Sequence, residues 1–174
     1  MDEITIRKVS LEDIDQLQKI GRKTFEETFS ENNSEENMLK YLESGFSFEK
    51  LNAELNNKLC EFYFAILNDR VIGYLKLNTG LAQTELKDET ALEIERIYVL
   101  EEFHGKRVGQ ILYDKALEVA DTKNAPYIWL GVWEKNPRAI SFYRKNGFEE
   151  FDKHLFKLGD DEQTDILMKK DLAQ

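Results

Sequence analysis

The sequence predicts a single mixed α/β domain in the order β-α-α-α-β-β-β-α-β-α-β-β. Three observations predict it. Hydrophobic periodicity switches along the chain between the alternation of strands and the three-to-four spacing of helices. The run YIWLGVW is continuously apolar, as in a strand covered on both faces. Helical segments flank that run and serve as crossovers. A length of 174 residues suits one domain, and neither proline, Pro126 or Pro137, lies in a linker-like stretch, so residues 1–174 are read as one unit.

Each element has a local reason. ITIRKV alternates apolar and polar residues and reads as a strand. Ser10 opens a helix, with Asp13 three residues on as a near capping box, and Leu11, Ile14, Leu17, Ile20, Thr24 and Phe25 mark its apolar face. Ser34 caps a second helix that Gly45 ends, and Ser47 caps a short third one. EFYFAIL and VIGYLKLN are strands joined as a hairpin at Asn68-Asp69-Arg70. An acidic, aperiodic stretch from Gln83 to Thr90 precedes the strand LEIERIYVL. The loop EEFHGKRVG leads into a helix with Val108, Ile111, Leu112, Ala116, Val119 and Ala120 on one face, stopped by Pro126. After YIWLGVW, Asn136 caps and Pro137 starts a helix running through Tyr143 to Asn146-Gly147. Strands over Phe148–Phe156 and Asp165–Lys170 close the chain.

Composition excludes several classes. Lys and Arg total 24 against 34 Asp and Glu, a formal net charge of -10, which disfavours nucleic-acid and anionic-lipid partners but leaves a cationic partner open. No apolar run approaches the roughly 18–20 residues of a membrane span. The start MDEITIRKVS lacks the apolar core of a signal peptide. One cysteine, Cys60, permits no internal disulfide and suits a reducing, cytoplasmic location.

Three constellations carry candidate chemistry. In IYVLEEFHGKRVGQILYDKAL a strand enters a glycine-containing loop and the loop enters a helix. Amides at a helix N-terminus form an anion site, Gly105 and Gly109 admit a pyrophosphate, and Lys106 and Arg107 add cations. The plainer reading is an ordinary strand-loop-helix connection. Neither a Walker loop nor a dinucleotide fingerprint is present. In WEKNPRAISFYRKNGF, Asn136 caps the helix and Tyr143 lies seven residues on, sharing its face. Tyr143 either presents its hydroxyl to a cleft or packs in the core. In LEIERIYV, alternation puts Glu93 and Glu95 on one face, continued by Ile97 and Val99. The pair is either a solvated strand face or a working one. Trp133 and Glu134, at the end of the buried strand, line a cleft if one forms there. His104 and His154 lie 50 positions apart and no metal-ligand cluster is evident.

Taken together, these segments resemble the GNAT superfamily of acyl-CoA-dependent N-acetyltransferases. The family loop [Q/R]-x-x-G-x-[G/A] corresponds to His104-Gly105-Lys106-Arg107-Val108-Gly109, with His104 and Arg107 departing from the pattern. NPRAISFYRKNGF is close to the family's N-x-x-A-x-x-F-Y-x-x-x-G-F. ENMLKYLESGF, LEIERIYV, IWLGVWEKN and GDDEQTDILMKK resemble the PaiA-type spermidine/spermine branch.

The resemblance implies a mostly antiparallel, twisted sheet of about seven strands, splayed at the cofactor cleft. It implies a bacterial enzyme with acetyl-CoA as cosubstrate, no metal, a small cationic amine as acceptor, and a monomeric or homodimeric state. Amides from Gly105 through Lys106, Arg107, Val108 and Gly109 to Gln110 would hold the pyrophosphate, with His104, Asn136 and Lys145 nearby. Pantetheine would pair with backbone at Ile97, Tyr98 and Val99. Glu95, or Glu93 through water, would take the amine proton, and Tyr143 would protonate the leaving thiolate. Glu36, Tyr41, Trp133 and Glu134 are the acceptor-site candidates. The acids Glu85, Asp88, Glu89, Glu93 and Glu95 would form a negative end of the cleft opposite Lys106 and Arg107. The alternatives are another amine (a protein N-terminus, an amino acid, an aminoglycoside) or a non-catalytic module binding CoA or polyamine.

Overall fold

The computed structural model describes residues 3–86 and 88–172. Seven strands and five α-helices follow in order among them: β1 (Thr5–Lys8), α1 (Ile14–Phe29), α2 (Glu35–Gly45), α3 (Phe48–Asn56), β2 (Cys60–Leu67), β3 (Arg70–Asn78), β4 (Leu92–Val99), α4 (Val108–Thr122), β5 (Tyr127–Trp133), α5 (Pro137–Lys145), β6 (Glu149–Leu158) and β7 (Asp161–Asp171). The sheet order is β1-β2-β3-β4-β5-β7-β6. Every neighbouring pair is antiparallel except β4 and β5. That parallel pairing covers only Leu92–Ile94 against Ile128–Leu130, and beyond it the two strands separate. The separation positions the site.

Local chemistry places the elements. Asn68 and Asp69 both adopt positive φ, 49° and 64°, the conformation a two-residue hairpin requires and that Asn and Asp tolerate. Ser34 and Ser47 accept hydrogen bonds from the amides of Asn37 and Lys50 and so start α2 and α3. After Ser10, a turn of 3-10 helix precedes α1. There Asp13 Oδ2 accepts from the Ser10 amide at 2.9 Å while Arg7 grips the same carboxylate at 2.9 and 3.1 Å. The last two strands are longer than expected and pair as one hairpin, turning at Gly159, whose φ is 63°. The acidic sequence GDDEQT hides this, because its residues project mostly into water.

Helices α1 and α3 cover one face of the sheet and α4 the other. The α4 face buries Leu75, Leu77, Leu112, Tyr113, Ala116 and Met168. The α1 side holds an aromatic cluster: Phe25 stacks on Tyr41 at 4.2 Å between centroids, and Phe46 and Trp133 extend it. Gly21 is required there, since a Cβ on it would lie 2.6 Å from the Phe46 ring.

Strand β4 does not alternate as the sequence predicts. Lys76 stands opposite Arg96 and Leu77 opposite Ile94, so Glu95 is an extra, bulged residue. Glu93, Arg96 and Tyr98 therefore project to the α1 face. Ile97 and Val99, aligned with Leu75 and Gly73, project to the α4 face, where a Cβ on Gly73 would meet Leu112 at 3.3 Å. The expectation that Ile97 and Val99 continue the Glu93 face is corrected by this one residue.

Candidate active site

Where β4 and β5 separate, a cleft of about 640 Å³ opens. Its lining brings together Ile97, Tyr98 and Val99 from β4, His104, Gly105, Arg107, Val108, Gly109 and Gln110 from the loop and start of α4, Trp133 at the end of β5 and Asn136 beyond it. The Leu100 amide donates to Ile72 O across the β3 side. By strand alternation the amides of Val99 and Ile97 point the other way, into the gap that β5 has left.

The loop is built for an anion. The first α-helical hydrogen bond of α4 runs from the Ile111 amide to Arg107 O, so the amides before it have no partner within the helix. A Cβ built on Gly105 or Gly109 meets nothing within 4 Å, so the space over this backbone is open for a ligand. Gly105 has φ 79°. Arg107, which stands where the family pattern has glycine, has φ 67° and keeps the left-handed backbone of a glycine while adding a guanidinium to the cleft. His104 Nε2 lies 2.9 Å from Val99 O and so carries its proton on that nitrogen. Asn136 accepts from the Ala139 amide at 3.3 Å, as a helix cap. These residues fit the phosphates and pantetheine arm of acetyl-CoA. Lys106 projects over the Phe103 ring, 5.6 Å from its centre. Lys145 lies outside the main cleft, in a separate groove with Pro137 and Arg144.

Tyr143 is buried, with Phe142 and Phe148 edge-on at 5.4 and 5.6 Å. Burial raises its phenol well above the ordinary value, so the hydroxyl keeps its proton at neutral pH. Tyr143 itself lies behind the cleft lining, which its neighbour Phe142 joins.

The two glutamates occupy different environments. Glu93, 2% exposed, accepts from Asn78 Nδ2 at 3.0 Å, from the Thr84 amide at 2.8 Å and from Thr84 Oγ1 at 2.5 Å. Burial raises its carboxyl despite those bonds. Glu95 shares the same Asn78 amide at 2.8 Å and pairs with Lys76 at 2.7 Å and Arg96 at 3.5 Å. Burial would raise it too, but Lys76 and Arg96 outweigh that and hold it at about 2. Lys76 is completed by Glu54 of α3. Arg96 lies over the Phe46 ring at 4.5 Å.

Among the acceptor-site candidates, Trp133 lines the cleft and packs on Phe29 at 4.9 Å. Tyr41 belongs to the aromatic cluster beneath α1. Glu36 is exposed on α2, paired with Lys40, and Glu134 is exposed past the end of β5. The expected negative end is composed differently. Asp88 holds Thr90 and Tyr127, Glu85 meets His154, and Glu93 and Glu95 are tied up within the sheet. The acids lining the cleft are Glu27, Glu31 and Glu101. The cations lining it are Arg107, Lys135 and Arg138. Sequence reasoning missed Glu27, Thr28, Glu31 and Asn32. The available signal was their i, i+4 spacing at the end of the first helix, which puts them on one side.

Among the described residues no helix is long and apolar enough to cross a membrane, and no cluster of His, Cys, Asp and Glu is arranged to hold a metal ion.

Comparison with known proteins agrees with this geometry. The chain is 41% identical over 173 residues, covering 99% of it and all of the relative, to an uncharacterised N-acetyltransferase from Lactobacillus delbrueckii subsp. lactis. It is 29% identical to a spermidine N(1)-acetyltransferase from Thermoplasma acidophilum, over 96% of both chains. The crystal structure of the PaiA N-acetyltransferase from Thermoplasma acidophilum in complex with coenzyme A superposes with a TM-score of 0.81 at 28% identity, covering 98% of this chain and 99% of that one. The model of the acetyltransferase (GNAT) family matches residues 15–148, and with the splayed strands, the amide-lined loop and these relatives it places the chain in the GNAT family of N-acetyltransferases.

Proposed function

We propose that this N-acetyltransferase moves the acetyl group of acetyl-CoA onto a primary amine of a polyamine, spermidine or spermine, by direct attack in a ternary complex. One observation carries the choice of acceptor: the cleft lining holds the acids Glu27, Glu31 and Glu101 as well as the cations Arg107, Lys135 and Arg138. The cations suit CoA phosphates and the acids attract a polycation. Similarity to a spermidine acetyltransferase supports the same reading.

Acetyl-CoA supplies an activated thioester. The protein's own groups do the rest. Amides at the start of α4 hold the phosphates, and the Ile97 and Val99 amides, left free by the departure of β5, orient the pantetheine arm and the acetyl carbonyl. An acceptor amine arrives as ammonium and must lose a proton before it attacks. Glu93, which lies behind the cleft lining, takes that proton through intervening water, its carboxyl having raised proton affinity, whereas Glu95 is held ionised by Lys76. Tyr143, whose phenol burial keeps protonated, is the proposed donor of a proton to the departing thiolate. Cys60, half-buried on β2 with burial raising its thiol, does not line the cleft and has no role in this scheme.

Thiol release from acetyl-CoA, measured with a panel of amines, tests the reading. Turnover with spermidine and spermine, and none with peptides, amino acids or aminoglycosides, is expected. A preference for peptide N-termini or aminoglycosides would replace polyamine by that acceptor. No release with any amine would favour a binding module.

A further inference from the structure

On the α1 face of the sheet, Gly131 is the first residue of β5 beyond its pairing with β4. It is exposed although Leu130 and Val132 on either side are buried. A Cβ there would lie 3.5 Å from Asp165 Oδ2 and 3.3 Å from Leu167 Cδ2, so Gly131 leaves a notch with the Asp165 carboxylate at its edge. Strand register fixes that carboxylate on the side facing α1. Asp165 is opposite Trp133, whose ring packs on Phe29 of α1.

Asp165 is half-buried, and among the described residues its carboxylate meets no hydrogen-bond donor or ion-pair partner. The charged neighbour that bears on it is His154, itself engaged by Glu85. Burial pushes Asp165 up to about 6, with His154 opposing. It nevertheless loses its proton at neutral pH and stands as an unmatched anion. Its register partner Trp133 lines the cleft, which puts this unpaired carboxylate at the cleft's edge, within reach of a cationic ligand.

We propose that Asp165 anchors a second, non-reacting ammonium of the acceptor, seated over Gly131 at the edge of the cleft. The inference rests on the amine-acceptor reading above and deepens it. An ion pair with a carboxylate keeps a nitrogen protonated and therefore unable to attack, so Asp165 cannot hold the nitrogen that is acetylated. It holds the next one along, and thereby selects diamines and polyamines over monoamines. The glycine is what keeps the seat open.

Steady-state kinetics on the full chain with spermidine and with an aliphatic monoamine test this. Asp165→Asn should raise KM for spermidine about tenfold or more while leaving KM for the monoamine and for acetyl-CoA within about twofold, an effect of one lost charge-assisted hydrogen bond. Gly131→Ala, which leaves the carboxylate in place, should move the spermidine KM in the same direction, with thermal melting confirming that both variants fold. Equal changes for the two amines, or none, would overturn the proposal. If the wild type acetylates neither amine, the function reading fails separately. Calorimetry of spermidine binding to the CoA-loaded protein then decides the anchor: binding lost in D165N upholds it, and binding unchanged or absent in the wild type overturns it.

Discussion

Lys76 Nζ lies 2.7 Å from Glu95 Oε1 inside the sheet, and it also pairs with Glu54 of α3. The bulge in β4 makes this contact possible by turning Glu95 toward the α1 side, where Lys76 projects.

From that pairing follows a division of labour between the glutamates. Glu93→Gln is expected to lower kcat roughly 10²-fold or more and remove the acidic limb of the pH–rate profile, as for loss of a general base. Glu95→Gln is expected to act on stability, by about 1–3 kcal/mol, because it leaves Lys76 and Arg96 short of a buried anion. Kinetics and urea unfolding of both variants check this. A kcat loss confined to E95Q would reverse the assignment.

Tyr143→Phe keeps the ring that Phe142 and Phe148 surround and removes only the hydroxyl. A kcat reduced roughly 10²-fold, with CoA affinity by calorimetry within twofold, is the expected result. Wild-type turnover would exclude Tyr143 as the proton donor.

Arg107 holds a left-handed backbone, φ 67°, that costs a non-glycine residue about 1 kcal/mol. Arg107→Gly relieves that strain but frees the unfolded chain, so unfolding stability should stay within about 1 kcal/mol of wild type. CoA should bind roughly tenfold more weakly, the worth of one charge-assisted contact. Unchanged affinity would mean that the guanidinium stands clear of the phosphates.

Stability should also carry the signature of Asp165. Burial raises it from 3.8 to about 6, with the His154 charge opposing. Between those values the unfolded chain has released the proton while the folded chain retains it. Stability therefore falls as pH rises from about 4 to 6, and the loss is constant above that. In Asp165→Asn it vanishes. The unfolding free energy of D165N minus that of wild type should be near zero at pH 4 and reach a positive plateau above pH 6.5, on the order of 2 kcal/mol. A difference that does not vary with pH would show that Asp165 titrates normally.

Much of this fold is legible residue by residue. Ser34 and Ser47 cap where caps are needed, Asn68-Asp69 turns the hairpin, and the apolar run Tyr127–Trp133 marks the central strand. Periodicity fails at Glu95, because a bulge depends on how β3 and β4 pair and leaves no mark in one strand alone. The final hairpin is obscured by its acidic turn.

By itself the sequence determined the family, the amide-lined loop at Gly105–Gln110 and the capped helix that carries Tyr143, because these are local patterns of backbone freedom and capping. Only the tertiary structure decided which charges work together. It set Glu95 against Lys76, left Asp165 unpaired beside Gly131, and put Glu27, Glu31 and Glu101 into the cleft lining. The physical reason is that a carboxylate's role depends on its burial and on the cations within reach, and both come from residues distant in the chain.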